Sequence, residues 1–223
     1  MLKLYHNPLS VNSRRVWIAL LEKKLEFELV ELKLDGDQLQ PEFLEMNPFH
    51  HIPVLEDDGF TVLESLAILD YLEAKYPAPA MLPRDAKTLA TVRMVEIVTV
   101  NELLPAMNPL ISQMMGFPDG NNPQKLEQAK EKAAMVLKFF EKLLGNGSYF
   151  GDEQFTLADI VAGTAVPWFP MLGFPLIDYP KLSAWAERLM QRPAWQTTQP
   201  TQETIDAFKS RMEALMKQRE SGV

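Results

Sequence analysis

The chain has 223 residues, of which 47% are hydrophobic and 23% are charged, as is ordinary for a globular protein of one large domain or two small ones. Its net charge of −8 argues against binding to nucleic acid, which needs clustered lysine and arginine side chains to replace counterions. No apolar run approaches the ~20 residues of a membrane span, and the N-terminal residues are too polar for a signal peptide, so we expect a soluble cytoplasmic protein without membrane contacts.

The first third of the chain shows a pattern of alternating strands and helices. Strict alternation of apolar and polar residues indicates strands, and apolar residues at helical spacing indicate helices. The predicted strands cover residues 2–6 and 27–32 and a hairpin over 54–63, and the predicted helices cover residues 12–23, 41–46 and 65–76. The resulting order is βαβαββα.

The segment at residues 47–65, NPFHHIPVLEDDGFTVLES, combines several local signals. Asn47-Pro48 marks a turn, and Pro53 stands directly before a short apolar run. Because proline has no N–H to donate to a strand ladder, Pro53 is expected at the first residue of its strand. Glu64 and Ser65 follow at the start of a helix, where backbone N–H groups can bind an anion.

This segment resembles the glutathione-binding half of the cytosolic glutathione transferases, in which the pattern N-P-x-x-x-[IV]-P-x-L is followed by E-S-x-A-I. The resemblance implies that the βαβαββα order folds as a thioredoxin-like domain. It also implies a cis peptide bond before Pro53 and pairing of the Ile52 backbone with the cysteinyl part of glutathione. Glu64 and Ser65 would then hold the γ-glutamyl end.

From the proline-rich stretch PAPAMLP onward, the sequence predicts helices and no convincing strand. The prolines of this stretch cannot continue a helix and form a stiff linker. Helices are predicted over residues 85–115, with a kink at Pro105 and Pro109, and over 124–144, 157–168, 180–191 and 202–219. We therefore expect a thioredoxin-like domain at residues 1–76, a linker at 77–86 and an all-helical domain at 87–223.

The clearest signal in the predicted helical domain is FTLADI at residues 155–160. Thr156 and Asp159 have the spacing of a helix N-cap pair, with an acid near the helix N-terminus where the dipole favours it. The segment also resembles the [ST]-x-x-D folding motif in the helical domain of glutathione transferases. Asp159 is therefore expected to be structural.

Catalysis with glutathione requires stabilisation of its thiolate, because a free thiol with a pKa near ~8.5 is mostly protonated at neutral pH. The chain has no cysteine, so the ligand must supply the sulfur. Ser10 follows the first predicted strand at a helix start, where a hydroxyl donor and the helix dipole can act together. In the serine-type transferases, theta-like and phi-like, the catalytic serine stands four residues before an arginine, and Ser10 and Arg14 share this spacing.

We expect Ser10 to donate its hydroxyl hydrogen to the glutathione sulfur, with Ser13 as the second choice and Asn12 as the third. The alternative is that these residues only cap the helix, which is a common role of serine and asparagine. Tyr5 stays open as a rival donor. It lies within the predicted strand, but the tyrosine-type families place their donor close to that position.

The resemblance places His51 where phi-like enzymes carry a glutamine that contacts glutathione. The chain departs from the phi-like pattern at Gln38-Leu39, where those enzymes have His-Lys around the glycyl carboxylate. We expect His51 or Gln38 to hold that carboxylate, and the subclass stays open. Because His50 and His51 are adjacent in an extended segment, they point in opposite directions, and we expect no metal.

An electrophile pocket is expected between the two domains, since such clefts commonly bind small molecules. The candidates, any of which could equally be core residues, are Asn108, Ile111, Met115, Trp168 and Phe169. The expected function is conjugation of glutathione to small apolar electrophiles, with peroxide reduction or isomerisation as related activities. The resemblance also implies a homodimer. The alternative is a non-catalytic glutathione-transferase-like interaction or regulatory domain.

Overall fold

The computed structural model describes residues 1–33 and 36–220, with side chains at all of these positions except 118–119, 212–213 and 215–220. Its first part follows the predicted order of strands and helices. The elements are β1 (Leu2–His6), α1 (Val11–Glu22), β2 (Phe27–Glu31), α2 (Pro41–Met46), β3 (Val54–Asp57), β4 (Phe60–Leu63) and α3 (Ser65–Lys75), with a short 3-10 turn at Asp37–Leu39. This βαβαββα order confirms the predicted thioredoxin-like fold.

The strands form one mixed sheet in the order β2-β1-β3-β4. The central strand β1 pairs in parallel with β2 and antiparallel with β3, so that Leu4 lies opposite both Leu29 and Leu55. Side chains alternate between the two faces of a strand. His6 therefore packs against Trp17 of α1, with ring centroids 5.0 Å apart, whereas Tyr5 faces the other side of the sheet.

The second part of the chain folds as helices, as predicted. None of the described helices has the length and apolar composition that a membrane crossing requires. The elements are α4 (Ala86–Val98), α5 (Leu104–Met114), α6 (Pro123–Leu144), α7 (Leu157–Gly163), α8 (Pro180–Met190), α9 (Pro193–Thr198) and α10 (Gln202–Glu220), with 3-10 segments at Pro118–Asn121 and Val166–Leu172.

The long helix predicted over residues 85–115 is divided into two helices just before Pro105, the first of the two prolines at which a kink is predicted. A π-helical segment at Thr99–Leu103 separates α4 from α5. Pro105 lacks the N–H that would donate to the carbonyl of Asn101, and its ring crowds that carbonyl. The helix therefore widens over the turn that precedes Pro105.

The helix predicted over residues 157–168 is shorter than expected. It ends at Gly163 as α7, and the chain continues as the 3-10 segment Val166–Leu172. This segment contains Pro167 and Pro170, whose missing N–H groups interrupt α-helical hydrogen bonding.

The buried carboxylate of Asp159 takes part in the N-terminal cap of α7. Asp159 accepts hydrogen bonds from the backbone N–H and the hydroxyl of Thr156 at 2.8 and 2.7 Å. It also accepts from the backbone N–H of Phe150 at 3.0 Å and from the indole of Trp185 at 2.9 Å. Burial raises the pKa of Asp159 to about 6, against the opposing effect of these donors. These contacts agree with the structural role expected for Asp159.

Helix α1 of the first part makes hydrogen bonds with the helical second part. Near its start, the Nε–H of Arg14 donates to the carbonyl of Thr198 in α9 at 3.0 Å. At its end, the carboxylate of Glu22 accepts two hydrogen bonds from Arg192 at 2.8 and 2.6 Å. Both ends of α1 are therefore fixed against the helical part, which holds Ser10 near the boundary between the two parts.

Candidate active site

Ser10 caps the N-terminus of α1. Its Oγ accepts a hydrogen bond from the backbone N–H of Ser13 at 3.2 Å, and its own N–H donates to the carbonyl of Asn7 at 3.1 Å. A serine hydroxyl has one hydrogen and two acceptor lone pairs. Capping therefore leaves the O–H hydrogen of Ser10 free to be donated to a ligand, and the cap and donor interpretations of Ser10 are compatible.

Residues close to Ser10 in the sequence line two different cavities, whereas Ser10 itself lines neither of them. Leu9 and Val11 line an apolar cavity of about 120 Å³, and Asn12 lines a polar cavity of about 350 Å³. The polar cavity also contains every residue predicted to bind the ligand, together with two neighbours on the same loop: Gln38, Asn47, His50, His51, Ile52, Pro53, Glu64 and Ser65.

The loop before β3 is shaped by Asn47, which is buried. Its Nδ2 donates to the carbonyl of His51 at 2.8 Å, and its Oδ1 accepts from the N–H of Phe49 at 3.0 Å. The peptide bond between Ile52 and Pro53 is cis, as the resemblance implies. The N–H and C=O of Ile52 make no hydrogen bond to the described part of the chain, so both can pair with a ligand.

Glu64 and Ser65 lie at the N-terminus of α3, where backbone N–H groups without helical partners favour an anion. Glu64 is exposed, whereas Ser65 is only 8% exposed. The Oγ of Ser65 accepts a hydrogen bond from Nη1 of Arg15 at 3.2 Å. A carboxylate beside a hydroxyl and a helix N-terminus can bind an ammonium and a carboxylate together, which are the two charged groups of an amino acid.

The rival donors lie in different environments. Ser13 is fully buried, and its Oγ accepts from the N–H of Asn7 at 3.3 Å. The hydroxyl of Tyr5 donates to Glu56 at 3.1 Å, and burial together with Glu56 raises the pKa of Tyr5. Ser13 and Tyr5 line neither the polar nor the apolar cavity, which is also true of Ser10, whereas Asn12 lines the polar one.

The apolar cavity contains three of the five predicted electrophile residues, namely Ile111, Met115 and Trp168. The other two lie elsewhere. Asn108 is exposed on α5, and Phe169 is fully buried in ring contact with Phe174, with centroids 5.6 Å apart.

Helix α10 supplies part of the apolar cavity that sequence reasoning missed. Ile205 and Phe208 line this cavity, and residues three apart lie on the same face of a helix. That spacing is visible in the sequence, but it does not indicate which surface the face packs against. The same limit applies to Leu9 and Val11, because only the fold brings them opposite α5.

Gln38 and Leu39, where the sequence departs from the phi-like pattern, lie in different environments. Gln38 is half-buried, and its Oε1 has no hydrogen-bond partner within the described residues. Leu39 is 55% exposed and does not line the polar cavity. Among the described residues, no group of three His, Asp or Glu side chains is arranged to hold a metal ion.

Family models of the glutathione S-transferases match both parts of the chain. The model of the N-terminal domain matches residues 4–80, and the model of the C-terminal domain matches residues 103–193.

Individual relatives match over most of the chain. Glutathione S-transferase F13 of Arabidopsis thaliana is 34% identical over 208 residues, covering 89% of this chain and 95% of the relative. Maleylacetoacetate isomerase of Rattus norvegicus is 30% identical over 193 residues, covering 84% and 87%. The crystal structure of glutathione transferase F7 from Populus trichocarpa is similar, with a TM-score of 0.78, 32% identity and coverage of 89% and 97%.

Proposed function

The chain belongs to the glutathione S-transferase family, and we propose that it conjugates glutathione to small apolar electrophiles at the two cavities beside Ser10. One observation carries the proposal. Leu9 and Val11, on either side of Ser10, line the apolar cavity, and Asn12, two residues after Ser10, lines a polar cavity together with Ile52, Glu64 and Ser65. A thiol held by the polar cavity would therefore lie near Ser10 and near an apolar substrate.

The polar cavity offers a partner for each polar group of glutathione. Glu64 would bind the ammonium of the γ-glutamyl residue, and Ser65 with the N-terminus of α3 would bind its α-carboxylate. The free N–H and C=O of Ile52 would pair with the cysteinyl backbone. The glycyl carboxylate would be held by His51 or Gln38, since Leu39 has no donor.

Ser10 would activate the thiol by hydrogen bonding and would not act as a nucleophile. Its O–H would donate to the sulfur, and the N-terminus of α1 adds a favourable dipole, so both lower the pKa of the bound thiol. The thiol proton leaves to solvent. The thiolate then forms a C–S bond to an electrophilic carbon, and the displaced electron pair passes to a leaving group or into a conjugated system that takes up a proton.

Isomerisation is a second candidate activity, and a specific relative favours it. The rat protein named maleylacetoacetate isomerase is 30% identical to this chain, and a thiolate can add reversibly to a conjugated double bond and allow rotation about it.

We also propose a cytoplasmic location, a role in detoxification, a homodimer, and domains at residues 1–76 and 87–223.

The first test measures glutathione binding by calorimetry and the pKa of the bound thiol by thiolate absorbance, for wild type and Ser10→Ala. We expect the bound thiol of the wild type to titrate well below the free value of ~8.5. Ser10→Ala should still bind glutathione but should lose most of this depression, and its kcat should fall by about 10²-fold or more.

Ser13→Ala is the matched control, because Ser13 is buried and accepts a hydrogen bond only from within the chain. It should lose stability but keep the lowered thiol pKa. If Ser10→Ala keeps the lowered pKa, another group is the donor. If the wild type does not bind glutathione, the proposed function itself fails.

A further inference from the structure

Arg15 is a buried cation beside the polar cavity. Its side chain is fully buried, and Nη1 donates to the Oγ of Ser65 at 3.2 Å. Its Nε and Nη2 have no hydrogen-bond partner within the described residues. A buried guanidinium with only one of its donor positions paired is costly to maintain, which points to a role beyond packing.

The hydrogen bond from Arg15 decides how Ser65 can bind a ligand. Arg15 has donors and no acceptor, so the Oγ of Ser65 must accept from it and cannot donate to it. The O–H hydrogen of Ser65 must therefore point to a different acceptor. Ser65 is also the first residue of α3, whose free N–H groups attract an acceptor to the same place.

We infer that Arg15 is a positioning residue for the α-carboxylate of glutathione, which it serves by directing the hydroxyl hydrogen of Ser65 into the polar cavity. The inference rests on the proposed function. Beyond the proposed function, Arg15 would make the site selective for a ligand with a free α-carboxylate, although Arg15 does not touch that ligand. The positive charge of Arg15, which is hydrogen-bonded to Ser65, also favours binding of the α-carboxylate.

A charged side chain on α4 affects the charge state of the guanidinium. Glu96 on α4 is 1% exposed, and attraction between Glu96 and Arg15 favours the charged form of both. Glu96 accepts from Nη1 of Arg93 at 2.9 Å, and Nη2 of Arg93 donates to Asp70 on α3 at 2.6 Å. Burial lowers the pKa of Arg15 to about 10, so Arg15 stays charged at neutral pH.

The experiment compares two ligands by calorimetry. One is glutathione, and the other is an analogue in which hydrogen replaces the α-carboxylate of the γ-glutamyl residue. The measured quantity is the ratio of their dissociation constants. For the wild type we expect a preference for glutathione of at least about tenfold, the effect of a hydrogen bond to a charged group.

Arg15→Met combined with Glu96→Gln removes both members of the buried pair, so that neither charge is left uncompensated. This double variant should lose about tenfold of the preference. Glu96→Gln alone keeps the Arg15–Ser65 hydrogen bond and should keep most of the preference. Ser65→Ala should lose the preference, and adding the double substitution to it should cause no further loss.

Arg14→Met is the matched control. Arg14 lies on the same helix and is also buried, but it donates to the carbonyl of Thr198. It should lower thermal stability without changing the ratio, which separates positioning from a structural role.

A ratio equal to that of the wild type in a folded Arg15→Met/Glu96→Gln protein would overturn the inference. Failure of the wild type to bind glutathione is a separate result, which overturns the proposed function. Loss of the preference in the double variant with retention in Arg14→Met supports the inference.

Discussion

Glu64 has a backbone conformation that residues other than glycine seldom adopt. Its φ is +63° and its ψ is 117°, and a residue held in such a sparsely populated region costs on the order of 1–3 kcal/mol. The strained residue stands directly before Ser65, at the position proposed to bind the ammonium of glutathione. The conformation turns the chain from β4 into α3, so that Glu64 and Ser65 both line the polar cavity.

Glu64→Gly should therefore make the protein more stable and at the same time weaken its binding of glutathione. Glycine adopts a positive φ without strain but loses more entropy on folding, so the free energy of unfolding in urea should rise by roughly 1 kcal/mol. Calorimetry should show glutathione binding weakened by about tenfold or more, because the carboxylate is lost. Glu64→Gln is the control, since it keeps the strain and loses only the charge. A Gly variant less stable than wild type would contradict the argument.

Individual site residues could be located from sequence only where a local motif fixes them. Ser10, Ile52-Pro53 and Glu64-Ser65 are such cases, because the resemblance to the glutathione transferases gives each motif a role. The local signals alone predict only turns, a strand start and helix starts, and they leave Ser10 open as a simple helix cap. Arg15 could not be assigned in this way, since its hydrogen bond to Ser65 joins residues 50 positions apart. Long-range contacts of this kind depend on the fold and not on a local pattern.

At the scale of elements, hydrophobic periodicity located nearly all helices and strands but not their irregularities. The spacing in residues 124–144 gave a helix that the structure extends by one residue to Pro123, where the side chain of Asn122 caps it. The six-residue helix α9 was missed, although α2 has the same length and was predicted. Helix α9 makes tertiary contacts with α1, such as the hydrogen bond from Arg14 to the carbonyl of Thr198, and a local sequence pattern does not reveal contacts of this kind.

Helix α10 should control the use of the apolar cavity without affecting glutathione. Phe208→Ala removes an aromatic wall of that cavity, so kcat/KM for an apolar electrophile should fall by about tenfold. The KM for glutathione should stay unchanged, as measured by steady-state kinetics with each substrate varied in turn. Ser210→Ala, at an exposed position on the same helix, should leave both constants unchanged. Equal losses for both substrates would mean that Phe208 acts on the fold.

At the scale of the whole molecule, exposed apolar side chains lie on α4 and beside α3, two helices that an ion pair joins. Met94 and Ile97 are 42% and 51% exposed and lie three residues apart on one face of α4. Phe60, which is 59% exposed, packs against Tyr71 of α3 with ring centroids 5.8 Å apart. An ion pair between Asp70 and Arg93 joins α3 to α4. Exposed apolar side chains grouped on one helix face, as on α4, are typical of an interface between proteins.

The homodimer should form through this face of α4, and Ile97→Glu should disrupt it. Burying an unpaired carboxylate at an apolar interface costs several kcal/mol, so the variant should sediment as a monomer at concentrations where the wild type sediments as a dimer. Met135→Glu places the same charge at a residue that is 65% exposed on α6, and it should remain dimeric. An Ile97→Glu protein that sediments like the wild type would place the interface elsewhere. A wild type that sediments as a monomer would rule out the proposed dimer. The apolar side chains of α4 would then be exposed to water in the native protein.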